Sequence, residues 1–161
     1  RQLTPVAAHE GRIAALNALR GDTERADETM IPQVIFTTPE VGLVGLTYGE
    51  APAHGILPAV ARMDARGSSN SVATGEEGGY FKLVLDQDTQ RLVGAQMVSP
   101  AAAELIQLCA LAVRSRVPAS LVASQLSVHP SHGERLLRAF GPEPHSTAAA
   151  PEGTGAGESR S

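Results

Sequence analysis

Two apolar-rich runs, Tyr80 to Leu85 and Leu92 to Val98, flank the polar stretch Asp86-Gln87-Asp88-Thr89-Gln90-Arg91. Aliphatic and aromatic runs bounded by such a turn predict a β-hairpin. Phe81, Leu83 and Leu85 alternate with Lys82 and Asp86, which aims one face of the hairpin at a core. The segment Ala101 to Arg116 follows at once. Its Leu105, Leu108, Cys109, Ala112 and Val113 fall at i, i+3, i+4, i+7 and i+8, the spacing of an amphipathic helix. Ser99 and Pro100 occupy its cap and first helical positions, and Glu104, Arg114 and Arg116 suit the helix dipole. A sheet with one apolar face and a helix with one apolar stripe must cover each other, which points to an α+β fold with an antiparallel sheet backed by helices.

The remaining elements fit that architecture. Thr4 reads as an N-cap and Pro5 as the first residue of a helix that runs through Leu19 and ends at Gly21-Asp22. Val34-Ile35-Phe36 and Val41 to Leu46 read as strands around the turn Thr37-Thr38-Pro39-Glu40. Thr47 to His54 predicts a short helix closed by Gly55. Ile56 to Met63 predicts a strand that Pro58 pushes to a sheet edge. Residues 64–79 read as a loop. Pro118 opens a short helix to about Ser124, and a final helix runs from His132 to Phe140. The expected domains are therefore a helix over 1–20, a linker over 21–33, a folded unit over 34–140 and a disordered tail over 141–161.

Composition narrows the function. Thirteen Lys and Arg against seventeen Asp and Glu give a net charge of −4, which argues against a phosphate-tracking nucleic-acid binder. Apolar stretches fall far short of the roughly 20 residues of a membrane helix, and no signal segment is visible, so a cytoplasmic setting is expected. The start at Arg1, without Met, predicts either a fragment or a processed chain. The single cysteine, Cys109, excludes an intramolecular disulfide, a CxxC zinc site and a dithiol redox centre within the chain. It lies on the apolar stripe, where a free thiol packs as a small hydrophobe.

The cluster Val128-His129-Pro130-Ser131-His132-Gly133-Glu134 carries the chemistry. A carboxylate beside an imidazole fixes its tautomer and stabilises its charged form, the requirement for proton transfer near neutral pH. His129 and Glu134 are five apart, which fails as a direct helical pair, so a turn rigidified by Pro130 would have to bring them together. Two other readings stand beside this one. Ser131-x-x-Glu134 is also a capping box, and His129-x-x-His132 with Glu134 also offers metal-ligating groups.

The wording and order of these segments resemble the C-terminal part of the pyridine nucleotide–disulfide oxidoreductases, the group of dihydrolipoamide dehydrogenase, glutathione reductase and mercuric reductase. The resemblance rests on Leu3-Thr4-Pro5-Val6-Ala7, Glu10-Gly11-Arg12, Pro32-x-Val34-Ile35-Phe36-Thr37-x-Pro39-Glu40-Val41 and Val44-Gly45-Leu46-Thr47. It continues through Gly79-Tyr80-Phe81-Lys82-Leu83, Leu92-Val93-Gly94-Ala95, Ala103-Glu104-Leu105-Ile106 and His129-Pro130-Ser131 with Glu134. It implies that residues 1–20 are the last helix of an FAD-binding domain and 34–140 a homodimerisation domain. It further implies that His129 and Glu134 form an acid/base pair, after a cis His–Pro bond, serving the partner subunit's redox cysteines and a disulfide or thiol substrate.

Leu3, Thr4, Pro5 and Val6 would then approach the flavin. The complete enzyme would use FAD and NAD(P)H, whose fingerprints, with the CxxxxC pair, are missing from this sequence. The chain is thus incomplete as an enzyme alone. The competing expectation is a stand-alone, non-catalytic homodimeric module derived from the family. Several positions depart from the family's wording: Ser131 stands for Thr, Ser127 replaces a frequent second His, and His132 and Gly133 are unusual. The run from Arg91 to Arg116 is especially similar to mercuric reductases. Those usually lack this His and end in a vicinal cysteine pair that this sequence does not have.

Overall fold

The computed structural model describes residues 3–26, 30–76 and 79–141. The expected tail falls almost wholly outside these residues, as does the linker's 27–29. Helix α1 covers Thr4–Arg20, and strands β1 and β2 cover Gln33–Ile35 and Glu40–Gly45. A 3-10 turn at Ala51–His54, closed by a left-handed Gly55, leads to β3 over Pro58–Asp64. Then come α2 at Ser69–Thr74, β4 at Tyr80–Asp86 and β5 at Leu92–Ser99. Helices α3, α4 and α5 cover Ala102–Ser115, Ala119–Ala123 and His132–Ala139.

The five strands form one antiparallel sheet in the order β1-β2-β5-β4-β3. The expected hairpin lies at its heart, with Phe81 opposite Met97 and Leu83 opposite Ala95. The polar turn closes on itself, because Asp86 accepts from the Thr89 hydroxyl at 2.6 Å and from the Asp88 amide at 3.1 Å. One face of the sheet carries Gly42, Val44, Ala59, Ala61, Phe81, Leu83, Leu85, Ala95 and Met97 against α3 and α5. A side chain at Gly42 would press on Ile106 and Met97, so glycine lets α3 approach β2. Pro58 opens an edge strand, where its missing N–H costs little.

Four local expectations are corrected. The extended residue before α1 is Leu3, not Thr4, since Pro5 lacks an N–H that is unsatisfied anywhere in the first turn. Helix α3 takes no cap from Ser99 at its own start. Glu40, from β2, accepts from the Ala103 amide at 2.9 Å, a tertiary cap invisible in local sequence. The buried stripe of α3 is Ala102, Ile106, Cys109, Ala112 and Val113, with Leu105 and Leu108 only half-buried, because α3 turns Ile106 toward the sheet. Finally, residues 64–79 contain α2, whose start is held by the Ser68 hydroxyl accepting from the Ser71 amide at 3.2 Å. It is too short to show a helical apolar period. Cys109 is fully buried in the core, and burial pushes its thiol up to about 12, so it stays protonated.

Candidate functional site

The segment from α4 to α5 ends in a turn that places one imidazole outward. The His129–Pro130 peptide bond is cis, and Ser131 then adopts an extended backbone as the N-cap of α5. The Ser131 hydroxyl accepts from the Glu134 amide at 3.1 Å and donates to the Val128 carbonyl at 2.7 Å. One hydroxyl therefore closes the helix and fastens the turn that precedes it.

This geometry brings His129 and Glu134 together, with His129 Nδ1 and Glu134 Oε2 2.8 Å apart. The capping-box reading is half met. Ser131 takes the Glu134 amide, but the Glu134 carboxylate goes to His129 and to the Arg138 guanidinium instead of back to the cap. The side chains differ sharply in exposure, 64% for His129 and 14% for Glu134. A sheltered carboxylate thus holds a presented imidazole.

The hydrogen bond with His129 holds the Glu134 carboxyl below the usual carboxylate range. Partial desolvation opposes this, and the charges of His129 and Arg138 reinforce it. With Glu134 ionised as the acceptor, neutral His129 donates from Nδ1 and keeps a free lone pair on Nε2. That nitrogen is suited to take a proton from an incoming group and to return it.

Arg138 escaped the sequence reading, although its i+4 spacing from Glu134 was a usable signal. His132 also turns inward to α2, with partners at Asn70 and Glu76. No sequence spacing pointed to that contact across more than fifty residues. His132, the third group of the metal reading, is directed to Asn70 and Glu76, and among the described residues no group of three or more His, Cys, Asp and Glu is placed to hold an ion.

Leu3, Thr4, Pro5 and Val6 form a separate cluster. Among the described residues, no hydrogen bond or ion pair joins them to His129 or Glu134. Val6 is buried, Leu3 half-buried, and Thr4 and Pro5 are exposed. Pro5 and Val6 line a cavity of about 260 Å³ with His9, Glu10, Met30 and Arg114 among its walls. The first backbone bond of α1 runs from the Ala7 amide to the Leu3 carbonyl at 3.0 Å. The Thr4 and Val6 amides are left without a helical acceptor, and among the described residues no side chain caps them.

Among the described residues, no helix is long and apolar enough to cross a membrane. A family profile described as "Pyridine nucleotide-disulphide oxidoreductase, dimerisation domain" matches residues 31–140. Dihydrolipoyl dehydrogenase of Halobacterium salinarum is 34% identical over 139 residues, covering 84% of this chain and 29% of that protein. Mercuric reductase of Shigella flexneri is 38% identical over 125 residues, covering 78% of this chain and 22% of that protein. Among solved structures, LpdA of Mycobacterium tuberculosis superposes with a TM-score of 0.77 at 28% identity, over 86% of this chain and 30% of that one. The HOCl-induced flavoprotein disulfide reductase RclA of Escherichia coli gives 0.77 at 26%, over 87% and 32%. The chain thus spans less than a third of the length of each of these relatives.

Proposed function

The chain belongs to the pyridine nucleotide-disulphide oxidoreductases, as their dimerisation domain, and from that premise we propose that it supplies His129 and Glu134 as an acid/base pair to a partner subunit in a longer flavoprotein. The observation that carries the proposal is the 2.8 Å contact between a sheltered carboxylate and an exposed imidazole, held by the Ser131 cap. Glu134 accepts the Nδ1 proton, fixes the ring and stabilises its charged form. His129 Nε2 takes the proton of a substrate thiol as the thiolate attacks a disulfide, and returns it in the reverse direction.

Residues 1–20 serve in this reading as the last helix of the FAD-binding domain, 21–33 as linker and 34–140 as the dimerisation unit. The bare amides at Thr4 and Val6 fit a group that gathers negative charge, and no acidic residue stands in the first turn of α1 to oppose it. Leu3, Thr4, Pro5 and Val6 would therefore hold FAD near its ring. The chemistry supplied by bound FAD is two-electron exchange between NAD(P)H and a cysteine pair that this chain does not contain. Homodimerisation is supported by the exposed apolar side chains Leu121, Leu126 and Val128 in the stretch of chain that leads to His129, with Leu126 95% exposed.

The test is His129→Ala in the longer flavoprotein, with the two half-reactions measured separately. Loss of the proton-transfer group slows thiol–disulfide exchange by about 10²–10⁴-fold and leaves flavin reduction by NAD(P)H nearly unchanged. Equal rates of thiol–disulfide exchange in variant and wild type would remove the role of His129.

A further inference from the structure

Helix α5 is eight residues long, and its two halves are held differently. The second half buries Leu136, Leu137 and Ala139, with Phe140 following them into the core. The first turn, His132-Gly133-Glu134-Arg135, places no large apolar side chain there. Nevertheless the His132 side chain is only 15% exposed. Its Nε2 lies 2.9 Å from Nδ2 of Asn70 on α2 and 3.4 Å from Oε2 of Glu76 just beyond it. Among the described residues, these are the hydrogen bonds that carry residues 128–135 to another element; the others close within the turn and the helix.

We propose that His132 is a positioning residue for the His129–Glu134 pair, fastening the first turn of α5 to α2; the inference rests on the role given to that pair above. The chemistry of the contact is balanced. A neutral imidazole has one donor and one acceptor nitrogen, so Nε2 accepts from the Asn70 amide while Nδ1 carries the proton. The Glu76 carboxylate stands close enough to take the Nε2 proton when the ring is charged. Either state therefore keeps a partner on the α2 side.

Glu134 follows two residues after His132 in the same helical turn. A short helix takes its position from tertiary contacts more than from its own propensity. Freed from α2, the turn would swing on Ser131 and the Glu134 carboxylate would move relative to the His129 ring. A misplacement of about 1 Å at a reacting group costs about 100-fold in rate, so a contact remote from the chemistry controls it.

The test is nitrogen NMR of the histidine rings in the full chain, near neutral pH or above. In the wild type, neutral His129 shows a protonated Nδ1 and a bare Nε2. Asn70→Ala and His132→Ala each move His129 Nε2 toward the protonated position, a loss of the Nδ1–H preference. His132→Gln offers an amide oxygen to Asn70 and an amide N–H to Glu76, and restores it. Asn70→Ala alters an α2 side chain outside the core cluster, so it answers even where His132→Ala fails to fold. Unchanged His129 signals in Asn70→Ala would overturn the fastening, as would His132→Gln behaving like His132→Ala. A wild-type His129 without the Nδ1–H preference overturns the pair itself, and the positioning role with it. A preference that survives Asn70→Ala overturns the positioning role alone.

Discussion

The two helices that carry the candidate residues begin differently. The start of α5 is closed from within, because Ser131 caps it and Glu134 in its first turn engages His129. Among the described residues the start of α1 is bare, with Leu3 ahead of it, no side-chain cap and no acidic residue in the first turn. A helix end that satisfies itself can aim one side chain outward; one left open suits an incoming anion. The same backbone feature thus serves presentation in one place and reception in the other.

The contrast is broken most strongly by removing the anchor behind α5. Leu136 is fully buried, and Leu136→Ala should destabilise the domain by about 2–5 kcal/mol in urea unfolding, with collapse of the His129 geometry. Val6→Ala on α1 removes less buried carbon and should cost about 1.5 kcal/mol. Equal losses at the two sites would mean that the helices are anchored alike.

Next comes the cap itself. Ser131→Ala should cost about 1 kcal/mol, read in the same assay. Leu3→Asp should do the reverse at α1, giving that helix its missing cap. In the longer flavoprotein the added charge should weaken FAD retention, by up to about 1 kcal/mol. Retention unchanged or improved would separate α1 from the flavin.

The smallest effect is one of pH. The Glu134 carboxyl is depressed in the folded state, so its stabilising contribution is complete above the ordinary carboxylate range and is lost as pH falls through its folded value. Below about pH 5 the stability difference between wild type and Glu134→Gln should shrink as the Glu134 carboxyl takes up its proton. A difference that keeps growing as pH falls below about 5 would reverse the assigned direction.

The sequence showed these regions unequally. The hairpin, the edge position of Pro58 and the span of α5 follow from short-range patterns, and the structure places them there. The His129–Glu134 contact was legible as a possibility, although spacing alone also allowed a simple cap. Only the fold shows that Ser131 takes the cap while Glu134 turns to His129. The Glu40 cap on α3 and the Asn70–His132 contact were illegible, since each joins residues more than sixty positions apart. Helix α2 was missed for another reason: six residues of Ser, Asn, Val, Ala and Thr bear no period, and its cap is a serine among serines. Local chemistry predicts elements well, whereas tertiary caps and tethers need the folded chain.

Complementation between subunits tests the central claim most directly. In the longer flavoprotein, protomers with His129→Ala are mixed and re-assembled with protomers that lack the redox cysteines. Supply of His129 across the interface gives each mixed dimer one intact composite site. Activity should then rise from the parental level to about a quarter of wild type for random pairing of two-site dimers. Activity that stays at the level of the two inactive parents, with mixed dimers shown to form, would contradict the account.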